Sequence, residues 1–233
     1  MTETPAPLNP LPMIAWVLAL PMIALEIVLS AGENGLAGGP TAIGWRAEAI
    51  QQLAFAPDYL RQMLLLNQWP LDGLWRPFTH VFVNGDLTGA LFSVVILLAL
   101  AKFTGEVFRW WAVTLIFFAS ALGGALAYAA IPWTHAGLYG GWPAIYGLIG
   151  GFTWVQWMRE KITGIPNNAF RLIGFLLGVR VVFGVAALTM GGLDQSEGWM
   201  WVADAAGFAV GFGLSFFVIP GGARALLTRI RKR

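Results

Sequence analysis

Apolar residues in this chain run in long uninterrupted stretches, not in the alternating or 3.6-residue patterns of a domain that faces water. A helix needs about 20 mostly apolar residues to cross the hydrocarbon core of a bilayer. Residues 11–31 meet that length with Glu26 as their only charge. Residues 87–101 carry no charge, and they reach the required length if Lys102 snorkels and the apolar run 78–83 contributes. Residues 110–134 and 136–158 are uncharged throughout, while 172–193 is broken only by Arg180 and 198–223 only by Asp204. The pattern predicts six spans.

Composition agrees with that reading. The chain of 233 residues is 58% hydrophobic and 11% charged, whereas a soluble domain carries about 45–50% and about 25%. This is the composition of an integral membrane protein. With no cysteine there is no disulfide framework, thiolate nucleophile or cysteine-ligated metal, and two histidines argue against a multi-histidine metal centre. No cofactor is expected. A net charge of +2 does not imply a nucleic-acid partner.

Charge also predicts orientation. Residues 1–12 lack a basic region and 11–31 is long enough to remain in the membrane, so a cleaved signal peptide is not expected. Six spans put both termini on one side. With the termini cytoplasmic, that side holds Lys102, Arg109, Arg159, Lys161, Arg171, Arg224, Arg229, Arg231, Lys232 and Arg233. The other side holds Arg46, Arg61 and Arg76, so the positive-inside rule predicts cytoplasmic termini, and the bias fits a bacterial inner membrane. The expected organisation is a short cytoplasmic tail (1–10), a membrane domain (11–223) with an external loop over about 32–75, and a basic tail (224–233) that contacts anionic lipid. The external loop interleaves Trp45, Phe55, Leu65 and Trp69 with Arg46, Glu48 and Arg61. It therefore reads as short amphipathic helices forming a lid or a partner surface.

Three motifs, in order, carry a resemblance. Trp75-Arg76 followed by Thr79 and Phe82 precedes the second span; a glycine-rich stretch running from Gly140 through Trp142, Tyr146 and Gly150 opens the fourth; Asp204, Gly207 and Gly211 mark the sixth. With six spans and a long first loop, the chain resembles the rhomboid superfamily of intramembrane serine proteases and their inactive relatives. The resemblance implies an all-α membrane protein, a six-helix rhomboid-like bundle with a long external first loop. It also implies where the family's chemistry would stand. The nucleophilic serine corresponds to Trp142, the general-base histidine to Asp204, the oxyanion-stabilising residues to Gly89 and Ser93, and an earlier histidine to Asn84.

None of these residues supplies the family's chemistry. An indole is no nucleophile, and acyl transfer needs an activated nucleophile, a base in reach and oxyanion donors. Trp142 is expected to plug the site, and Pro143 removes one backbone N–H beside it. The catalytic positions are thus vestigial, and the chain is expected to be a non-enzymatic pseudoprotease. It would bind a transmembrane client helix or serve as an accessory subunit of a membrane complex, along spans two and five, through residues such as Leu91, Val95, Phe175 and Val182. A rhomboid protease with an unrecognised nucleophile and a small transporter are the alternatives.

Buried charges in a span need partners. Arg180 and Asp204 are expected to pair, with a relay including Glu26 as the sharper alternative. The glycine pairs 207/211, 147/150, 123/124 and 174/178 are expected where helices pack closely. Trp110, Trp111, Trp154, Trp157, Trp199 and Trp201 are expected to form interfacial belts.

Overall fold

The computed structural model describes residues 11–164, 168–190 and 197–219, and within them the protein is helical. Six helices have 19–22 residues: α1 (Met13–Glu33), α5 (Leu87–Gly105), α6 (Trp110–Ala129), α7 (Trp142–Thr163), α8 (Arg171–Met190) and α9 (Met200–Val218). Among the described residues, α1, α5, α6 and α9 are long and apolar enough to cross a membrane. Three short helices connect α1 to α5, namely α2 (Trp45–Leu53), α3 (Pro57–Leu66) and α4 (Leu71–Thr79). Predictions for the tails 1–10 and 224–233 fall outside the described residues.

Local chemistry moves several helix boundaries. The run 78–83 does not extend the second long helix: it finishes α4 and forms a 3-10 turn at His80–Phe82. The Asp86 carboxylate accepts the Gly89 N–H at 2.8 Å and caps α5 there, so this helix begins at Leu87. At α7 the shift is larger. Residues 136–141 form a connection in which Gly140 adopts φ 94° and its N–H donates to the His80 carbonyl at 2.9 Å. The helix therefore starts at Trp142, the residue before a proline at its first turn, and continues through Arg159, Glu160 and Lys161. α6 stops at Ala129, ahead of Pro132.

The core lies where α6, α7 and α9 meet, and glycine lets the backbones touch there. A Cβ added at Gly207 would run into the Pro143 carbonyl, and one at Gly211 into that of Gly147. One added at Gly150 would meet the Phe208 carbonyl. Gly174 and Gly178 do otherwise: among the described residues nothing lies within 4 Å of a Cβ added at either. Among the described residues, α8 buries a single side chain, Ile173. The aromatic expectation is also corrected at one position. Trp154 is buried in the core against Phe108 and Phe216 and belongs to no belt, whereas Trp110 and Trp111 are exposed.

The α1–α5 connection is folded onto the bundle. Phe55 and Leu138 exchange backbone hydrogen bonds of 2.9 and 2.8 Å, tying it to the α6–α7 connection. Arg61 on α3 donates to the carbonyls of Ala129 (3.0 Å) and Thr134 (2.7 Å) and to that of Ile131, capping the end of α6. Burial alone would raise Asp58, yet hydrogen bonds from His135 and Arg61 outweigh it and hold this carboxyl below its ordinary value.

Candidate functional site

At the head of α7, a cavity of about 260 Å³ opens between the start of α5, the α6–α7 connection, α8 and α9. Asn84, Asp86, Gly89, Tyr139, Trp142, Pro143, Arg180, Met200 and Asp204 are among the residues that line it. Four positions that the sequence places at the family's chemistry thus converge here: Asn84, Gly89, Trp142 and Asp204. Ser93 stands behind them, fully buried, with its hydroxyl donating to Asn84 Oδ1 at 3.3 Å.

Trp142 lines this cavity and leaves it open, contrary to the expected plug. Its half-buried indole lies under Arg180, whose Cζ is 5.8 Å from the ring centroid. Arg180, from the middle of α8, donates through Nε to Asp204 Oδ2 at 2.7 Å, and Nη2 stands 2.7 Å from the same oxygen. Asp204 is 1% exposed, so the guanidinium neutralises a carboxylate that has left solvent. Asp86 is occupied as the cap of α5.

Among the described residues no serine, threonine, cysteine or histidine lines this cavity. His80 is fully buried elsewhere: its Nδ1 is 3.2 Å from the Arg76 carbonyl and its ring sits 6.4 Å from that of Phe55. His135 pairs with Asp58 on the surface at 2.9 Å. Ser120 is buried between helices, Ser215 donates to the Gly211 carbonyl at 2.7 Å, and Ser196 lies outside the described residues. Among the described residues no group of three His, Cys, Asp or Glu side chains is placed to hold a metal.

The remaining motif residues are scaffold. Arg76 donates to the Ala54 carbonyl at 3.2 Å and lies over the Tyr59 ring, while Trp75 is exposed. Tyr146 is buried in α7 beside the helix-contact glycines.

A second polar cluster supports the cavity from behind, and its centre, Arg46, is a residue the sequence reading placed on a surface helix. Arg46 is buried. It bonds Glu26 at 2.7 and 3.0 Å and Glu33 at 2.7 and 2.9 Å, and its Nη1 reaches the Asn84 carbonyl at 3.0 Å. Glu26 therefore has a structural partner of its own in Arg46. A signal was available in the sequence. Glu26, Ser30 and Glu33 recur at intervals of four and three, which puts them on one face of α1 and calls for a cation opposite.

This is an all-helical integral membrane protein whose long helices enclose a polar cavity at one end of the bundle. The family model described as Rhomboid domain matches residues 71–221, well over half of the chain, and the chain belongs to the rhomboid family. No curated protein matches it.

Proposed function

We propose that the chain is a non-catalytic rhomboid-family protein that holds another membrane protein's transmembrane helix, as a binding partner or as an accessory subunit of a complex. In this reading α1 and α5–α9 are six membrane spans, the α2–α4 connection is external, and both termini are cytoplasmic in a bacterial inner membrane. The basic tail 224–233 rests on anionic lipid.

One observation carries the reading. The position of the family's nucleophile is an indole, the position of its base is an aspartate committed to Arg180, and among the described residues the cavity they share is lined by no hydroxyl or thiol of serine, threonine or cysteine. Serine proteolysis of the family's kind runs through the groups that are replaced at this cavity. The fold's close helix contacts persist at Gly207 and Gly211, which supports retention for binding.

The binding flank is α5 and α8, where Leu91, Val95, Phe175 and Val182 are exposed. Lipid is as apolar as these side chains, so recognition there rests on shape and small residues. A photo-cross-linking residue at position 91 or 182 of the full chain, in native membranes, tests it. One defined protein adduct is expected from both positions, and none from Leu126, exposed on α6. Identical adduct patterns from all three, or no protein adduct from 91 and 182, would contradict the assignment.

A further inference from the structure

One donor at the wall of the cavity at the head of α7 has no acceptor among the described residues. Asn84 is 4% exposed and lines the cavity; Ser93 donates to its amide oxygen and Arg46 to its backbone carbonyl, while its Nδ2 has no partner among the described residues. A buried amide donor of this kind costs free energy unless something accepts from it. Across the cavity, Arg180 directs Nε and Nη2 at one oxygen of Asp204, and its side chain remains 37% exposed. Between them lies the start of α7, a helix of 22 residues with no side-chain cap. Its first-turn N–H groups carry partial positive charge.

Asp204 is balanced by Arg180, while Asp86 accepts the Gly89 N–H as the cap of α5 and keeps its negative charge at the cavity wall. The same protein shows that one guanidinium can serve two carboxylates: Arg46 holds Glu26 and Glu33 together, the second of them partly exposed. Leu138, Trp142, Pro143 and Met200 supply apolar walls.

We propose that this cavity binds a carboxylate carried on a short apolar stem, with Arg180 and the Asn84 amide as its donors and Trp142 beneath the stem. The carboxylate shares Arg180 with Asp204 as Glu33 shares Arg46 with Glu26. This site adjoins the proposed α5–α8 flank, sharing Gly89 of α5 and Arg180 of α8, and the purified chain without a partner helix reads its occupancy by itself. A free short-chain acid and the headgroup end of a fatty acid both present this chemistry.

The purified full chain in nanodiscs is titrated calorimetrically with hexanoate, with its neutral isostere hexanamide, and with palmitate added to the bilayer. Saturable binding of a carboxylate is expected, with hexanamide at least about tenfold weaker than hexanoate because a charge-assisted bond is replaced by a neutral one. Palmitate binding more tightly than hexanoate identifies a membrane amphiphile as the source; the reverse order identifies a soluble acid. Asn84→Leu is expected to weaken binding by about fivefold or more. Equal affinity for hexanoate and hexanamide, no saturable binding of either carboxylate, or wild-type affinity in a folded Asn84→Leu variant would overturn the proposal. The comparison of acid with amide uses the unaltered protein, so it holds even if the variant does not fold.

Discussion

Arg46 joins two acids of α1 to the backbone of Asn84, and it does so 6% exposed. Removing one member of a buried ion pair leaves the other charged and unsolvated, at a cost of about 3–5 kcal/mol. Arg46→Leu is therefore expected to lower stability by that order in a detergent unfolding titration. Adding Glu26→Gln to it should recover at least about 1 kcal/mol, since the stranded charge is removed. Strict additivity of the two substitutions would show that the pair is not coupled. At this scale the sequence was only half legible. Glu26 was evident as a charge in an apolar run, and Arg180 and Asp204 were evident for the same reason, with adjacent antiparallel helices suggesting their pairing. Arg46 was hidden because it sits in a polar segment, where a charge calls for no explanation.

Between elements, glycine separates helices that touch from one that does not. At Gly211 an added methyl meets the Gly147 carbonyl on α7, and backbone cannot rotate away as a side chain can. Gly211→Ala is expected to destabilise by about 1–3 kcal/mol, the usual penalty of overpacking. Gly178→Ala, on the open side of α8, is expected to be neutral or to gain up to about 1 kcal/mol from helix propensity. Thermal unfolding of the two variants side by side checks this, and an equal loss in both would contradict the packing described. The sequence does not distinguish these glycines, because both pairs share the same four-residue spacing. Long apolar runs located all six long helices, but the starts of α5 and α7 depended on an Asp86 cap and a left-handed Gly140, which hydropathy does not register. α7 extends past the apolar run into Arg159, Glu160 and Lys161 for the same reason: charge ends an apolar stretch without ending a helix.

For the whole molecule, the proposed function separates the family's fold from the family's chemistry. The scaffold of α6, α7 and α9 brings residues 142 and 204 to the cavity shared with 84 and 89, as the motif spacing implied, although the residues there are Trp142, Asp204, Asn84 and Gly89. What the sequence did not show is that this space stays open. A tryptophan at a helix entrance suggests a plug by volume alone, whereas here its ring lies against Arg180 and lines the wall. The central point of the proposal is therefore the cavity's lining, which among the described residues offers no serine, threonine or cysteine. The most direct measurement is the intact mass of the purified full chain in liposomes after exposure to a serine-reactive fluorophosphonate. An unchanged mass is expected; a stoichiometric adduct that maps to one serine would contradict the proposed loss of catalysis.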